Sequence, residues 1–256
     1  MPKVDTVGDN YYKPLEQAEA VGAGLFWMVS ILSIAALFVD KAAYPLAYDI
    51  LQIVFIVCVV LFFFQGQAQK LYLFPRAEDK RRQELLSNSY NVVLTHEETV
   101  DYYNNDQTNP LKRLAASIME SAFFTREIVR MMLVGQRTKT VGYLLVYVVA
   151  VLNRSTNLEV LAIAAQAVFS EEIIARWFRM EWLRTRSEQV FDNLNRLFTG
   201  RQAFSRPTAQ SHAIDLFSFY ETTKSTAAIL LSSRLFHKHN ARLSDEWEQI
   251  RGRLGL

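Results

Sequence analysis

The chain has 256 residues, with 28 Lys and Arg against 26 Asp and Glu and a formal net charge of +2. A balance this even gives no bulk attraction for polyanions, so direct DNA binding is not expected; the single cysteine, Cys58, excludes a disulfide framework and a cysteine-based zinc site. Half of the residues are apolar, and they fall in blocks rather than evenly, which argues against one soluble core.

The first block, Ala20 to Val39, carries no charge and includes Leu25, Phe26, Trp27, Ile31, Leu32, Leu37 and Phe38. Twenty helical residues cover about 30 Å, the hydrocarbon thickness of a bilayer. The leader before it is mixed, with Lys3 and Lys13 beside Asp5, Asp9, Glu16 and Glu19, unlike the basic leader of a cleavable signal. A permanent span over about residues 20–39 is therefore expected. After the short link Asp40–Pro45 a second uncharged run, Ile50 to Gln69, predicts a second span over about 46–66, with Pro45 suited to a helix start. A link this short makes the pair an antiparallel hairpin, residues 1–69.

From Lys70 the chain turns polar and stays so to about residue 138. Lys80, Arg81 and Arg82 form a basic triplet here, a candidate for lipid or phosphate contact. Thr95 and Glu98 have capping-box spacing, and Asn109-Pro110 opens a predicted long helix with Leu111, Leu114, Ile118, Ala122, Val129 and Met132 on roughly one face. Ahead of that helix, Tyr102, Tyr103, Asn104 and Asn105 offer rings and amides to a nucleobase, with Lys112 or Arg113 for phosphate. The plainer reading is a capping loop whose tyrosines pack beneath the helix.

A second membrane hairpin is expected over 139–178. Its first member, Thr140 to Asn153, is fourteen uncharged residues, about 21 Å as a helix and short for a span, although Arg137, Lys139 and Arg154 can extend it by snorkelling. Its second member begins at Leu158 and is interrupted by Glu171 and Glu172 before Ile173, Ile174, Trp177 and Phe178. Carboxylates within an apolar helix tend to face a partner or water, so Glu171 and Glu172 are candidates for a pore or gate, or else mark the interface and pair with Arg176. The alternative is that both members pack as a soluble helical hairpin, leaving two spans.

Residues 179–256 are amphipathic and basic. A break is expected around Gly200 to Pro207, then a helix from about Thr208 to Phe236, and a short last helix capped by Ser244-Asp245-Glu246. With four spans, the loops opposite the termini hold only Lys41 and Arg154 of the 28 basic residues. The positive-inside rule then places both termini and residues 70–138 in the cytoplasm, an orientation that two spans would share.

Catalytic signatures are lacking in the sequence. Thr95-His96-Glu97-Glu98 has no second histidine, no GxSxG or phosphate loop is present, and His237-Lys238-His239 has no nearby carboxylate or thiol to complete a metal site. No enzyme, catalytic residue, cofactor or metal is expected.

The whole arrangement is all-α: two transmembrane hairpins with cytoplasmic helical segments. Its close-set N-terminal spans, the Tyr102–Asn105 element leading into Asn109-Pro110-Leu111, the second apolar pair and the amphipathic C-terminal region resemble the four-transmembrane pore-forming effector family of bacterial cyclic-oligonucleotide (CBASS-type) antiphage defence. The resemblance covers most of the chain and is organisational; related two-span defence effectors fit almost as well. It implies a multi-pass protein of the bacterial inner membrane that contacts lipid and forms a homo-oligomer. A cyclic nucleotide or a soluble defence-complex partner, sensed by the cytoplasmic region, would then trigger loss of membrane integrity. A non-enzymatic anchor or scaffold for such a complex is the competing expectation.

Overall fold

A computed structural model describes residues 4–97, 99–100, 105, 107–152, 165, 171–200 and 204–256. Their regular structure is helical, joined by turns and short loops, apart from a two-residue antiparallel pairing that sets Val4 opposite Val100 and Asp5 opposite Thr99. The α-helices are α1 (Lys13–Phe38), α2 (Pro45–Ala68), α3 (Phe74–Tyr90), α4 (Pro110–Leu152), α5 (Arg176–Thr199), α6 (Pro207–Ala227) and α7 (Ser233–Leu254). They belong to two compact units, one made of Met1–Gly8, Glu78–Arg137 and Arg176–Leu256, the other of Asp9–Ala77 and Thr138–Ala175.

In the second unit α1 and α2 lie against each other in opposite directions. Gln65 reaches Ala18, Phe62 meets Phe26, and the Cys58 Sγ lies 3.3 Å from the Met28 Sδ, so rising numbers on one helix meet falling numbers on the other. The link between them is an Asp40-led turn: the Asp40 Oδ1 accepts from the Ala42 N–H at 2.8 Å and its carbonyl from the Tyr44 N–H at 2.9 Å. Pro45 follows at the first helical turn, where its missing N–H is not needed.

Most of the large apolar side chains of this hairpin are exposed, although Leu15, Phe26 and Cys58 are buried. Phe38 is 83% exposed, Leu46 74% and Phe64 64%. Only 11% of the most apolar stretch of the first helix and 6% of that of the second are buried, whereas a soluble core helix of this composition would be largely covered. Two helices are thus long and apolar enough to cross a membrane.

The other unit has the ordinary arrangement, with apolar side chains inside. Leu114, Ile118, Ala122 and Val129 of α4 are buried as their spacing predicts, with Leu111 and Met132 packed at the margin. The partners of the first three are Val190, Phe191 and Leu194 of α5, Tyr220 of α6, and Leu243 and Trp247 of α7, while Val129 clusters with Met180 and Leu183 of α5 and Ala227 of α6. The Phe123 ring lies tilted against both Phe191 and Trp247, its centroid 6.0 Å from each.

Three local expectations are corrected. No helix starts at Thr95: its hydroxyl accepts from the Glu97 N–H at 3.3 Å and from the Lys80 Nζ at 3.4 Å, and among the described residues the next helix opens at Pro110. The amphipathic stretch and the apolar block at 140 belong to one 43-residue helix, α4, in which isolated glycines such as Gly135 and Gly142 cost only about 1 kcal/mol each. The predicted helix through Phe236 instead ends at Ala227, where Ala228 turns left-handed at φ 46° and its N–H closes on the Lys224 carbonyl at 3.1 Å. The last helix is capped by Ser232, whose hydroxyl accepts from the Leu235 N–H at 3.3 Å, so Ser244 lies mid-helix.

Nor does Lys70 end a helix. The run from Pro45 to Tyr90 is continuous, widened by a π turn at Gln69–Leu73 just before Pro75. Pro75 has no N–H to offer the carbonyl of Leu71, and the wider turn is how the ladder absorbs that loss.

Candidate functional site

The most concentrated set of charges away from solvent joins α3 to α6. On α3, Glu78 and Arg81 stand three residues apart and so share a face; on α6, Glu221 and Lys224 do the same. Along the chain both read acid then base, but Glu78 faces Lys224 and Arg81 faces Glu221, so each cation meets an anion. The Arg81 Nε donates to the Glu78 Oε2 at 2.9 Å, and its Nη2 reaches both Glu221 oxygens at 2.7 Å. The Lys224 Nζ lies 2.9 Å from the Glu78 Oε1. All four side chains are 10% exposed or less.

Beneath the guanidinium, 5.9 Å away, lies the ring of Tyr220, whose hydroxyl is 2.9 Å from the Thr125 Oγ1 of α4. Burial pushes the Tyr220 phenol well above its ordinary range, against the opposing pull of Arg81 and the Thr125 contact, so it stays neutral. Burial and the neighbouring Arg81 charge push the Lys224 ammonium below its usual range, while Glu78 and Glu221 work to keep the proton on. Two carboxylates and two cations cancel, and removing any one leaves a buried charge uncompensated, at a cost of about 3–5 kcal/mol.

A second polar centre ties α4 to α5. The Glu181 Oε1 accepts from the Arg137 Nε at 2.6 Å and from the Trp177 indole N–H at 3.0 Å, and Arg184 lies 3.5 Å from its other oxygen. Partial burial disfavours the Glu181 carboxylate, but Trp177, Arg137 and Arg184 together outweigh it and hold the acid below its ordinary range.

The three residues of the basic triplet have different surroundings. Arg81 points inward and is taken up by Glu78 and Glu221; Arg82 pairs with Asp79 at 2.7 Å on the surface; Lys80 donates to Thr95. Tyr102, Tyr103 and Asn104 lie outside the described residues. Asn105 donates to the Ser117 Oγ at 2.9 Å and to the Arg113 carbonyl at 3.3 Å, while Arg113 donates to the carbonyls of Gln107 at 2.8 Å and Asn88 at 3.1 Å. These bonds tie the loop to the start of α4, as does the Asn109 Oδ1, which caps the Lys112 N–H at 3.0 Å. Glu171 and Glu172 open a π turn, Glu171–Ala175, ahead of α5. Among the described residues no group of three His, Cys, Asp or Glu stands together as a metal site.

Sequence reasoning missed Glu78, Glu221, Lys224 and Glu181. The available signal was opposite charges at a spacing of three, which on most helices marks a solvated face; only the tertiary pairing of two such faces distinguishes this one.

Compared with protein-family models, with curated proteins and with solved structures, the chain matches none. What fold and site define is a class: a helical protein with two helices long and apolar enough to cross a membrane, and with a separate, ion-paired helical unit.

Proposed function

We propose that this chain is a multi-pass protein of the bacterial inner membrane, with both termini and the helical segments 70–138 and 179–256 in the cytoplasm. Its role is that of an antiphage effector of the CBASS type: it oligomerises and permeabilises the membrane when its cytoplasmic region is engaged by a nucleotide signal or a protein partner. The observation that carries the reading is the outward-facing apolar surface of α1 and α2, which is largely uncovered among the described residues and matches lipid. The end of α4 supports a third span, since Leu145, Val149 and Leu152 are exposed on a helix without a charge after Lys139. The concentration of Lys and Arg on one side of the spans supports the orientation.

The test is induction of the protein in cells carrying a potential-sensitive dye, with and without phage infection, alongside alkaline extraction of the membranes. The chain is expected to resist extraction and to depolarise cells on activation. Recovery in the soluble fraction would overturn the membrane assignment. A membrane-embedded monomer or dimer that leaves cells polarised while holding a large soluble partner would replace the effector by an anchor.

A further inference from the structure

We propose that the network of Glu78, Arg81, Glu221 and Lys224 is a latch that seats α3, and that its opening is the step that releases permeabilisation; the latch rests on the effector reading above. α3 is not a separate element, because the helical run from Pro45 to Tyr90 carries the apolar α2 directly into it. What seats it is unusual for this unit. Phe74 and Ala77 are buried at the start of α3, but over residues 78–90 the buried side chains are Glu78, Arg81, Glu84, Leu85 and Ser89, so there Leu85 is the one fully buried apolar side chain, with Leu86 partly buried against the core. By contrast α4 buries Leu114, Ile118, Met119, Phe123, Ile128 and Leu133. An element held by few apolar contacts lies at the low-stability end of a fold and opens before the rest.

The connectivity makes that opening all-or-none. Glu78 is shared by Arg81 and Lys224, and Arg81 is shared by Glu78 and Glu221. Losing Glu221 therefore removes the bidentate partner of Arg81 and leaves Glu78 as the carboxylate that faces both Arg81 and Lys224. A well-packed apolar cluster in the same place would hold α3 as firmly or more so, without the means of release; buried ion networks are often less stabilising than their apolar replacements. α6 is pinned independently by the Tyr220–Thr125 contact with α4. Opening is therefore expected to free α3 and leave α6 in place.

Two variants of the full chain, reconstituted in phosphatidylethanolamine and phosphatidylglycerol vesicles holding a self-quenching dye, test this by amide hydrogen exchange and dye release. Glu221→Gln is expected to speed exchange over 78–90 at least tenfold with α4 and α5 unchanged, and to raise dye release at least tenfold over wild type without any added signal. The fourfold apolar variant Glu78→Leu, Arg81→Met, Glu221→Leu, Lys224→Met is expected to protect 78–90 as well as wild type does and to stay silent. Unchanged exchange in Glu221→Gln, or faster exchange with dye release equal to that of a wild type that does leak, overturns the latch and leaves the effector reading standing. Silence of every variant at all protein-to-lipid ratios, with α3 demonstrably freed, overturns the effector reading and the latch with it. Should Glu221→Gln lose protection in all helices at once, the apolar variant decides: dye release at or above the wild-type rate overturns the proposal.

Discussion

Ala228 adopts a left-handed backbone with φ 46° and ψ 46° at the position just past α6, where its N–H bonds back to Lys224. Glycine is the usual occupant of that position, since a Cβ there crowds the following carbonyl by about 1–2 kcal/mol. Ala228→Gly is therefore expected to stabilise the helical unit by about 1 kcal/mol, read as a higher melting temperature in detergent. Glu181 gives a second residue-scale outcome. Its folded acid is held below the unfolded value of 4.5, so its pairing contributes fully at neutral pH and is lost only as pH falls below 4.5 through the folded value. Denaturant titrations of wild type and Glu181→Gln are expected to differ by a constant amount from pH 7 down to about 5, and to converge under more acidic conditions. A difference that already shrinks between pH 7 and 6 would contradict this.

The α1–α2 hairpin separates two glycines that look alike in sequence. A Cβ on Gly22 would fall 2.7 Å from the Gln65 Oε1, whereas a Cβ on Gly24 meets nothing within 4 Å. The same Gln65 amide donates to the Ala18 carbonyl at 2.6 Å, a polar tie between helices that matters most where water is scarce. Gly22→Leu is expected to destabilise the hairpin by about 1–3 kcal/mol through overpacking and loss of that tie, and Gly24→Leu to be nearly neutral, both read by thermal unfolding in detergent. Such contrasts mark how far the sequence reaches. The apolar runs, Pro45 and Asn109-Pro110 announce α1, α2 and the start of α4 because length, hydrophobicity and caps act locally. Breaks without glycine or proline, such as that at Ala228, leave no local mark, and the caps at Thr95 and Ser244 mislead because a hydroxyl can serve a turn or a helix surface equally well. The ion network is hidden for a different reason: Glu78 and Arg81 reveal themselves as interior only once Glu221 and Lys224, some 140 positions away, are brought to them.

For the molecule as a whole, the proposed orientation makes one side of the bilayer accessible to the helical unit and the other nearly bare. Val93, in the segment after α3, is 90% exposed. A cysteine placed there by Val93→Cys is expected to react with a membrane-impermeant maleimide in inverted vesicles and not in intact spheroplasts; the reverse pattern would invert the topology. The native thiol leaves that measurement uncluttered. Cys58 is buried on α2 with its sulfur turned toward Met28, and it is the chain's sole cysteine. The protein is thus its own blank, a background in which one introduced thiol can carry a fluorophore or spin label without any prior substitution.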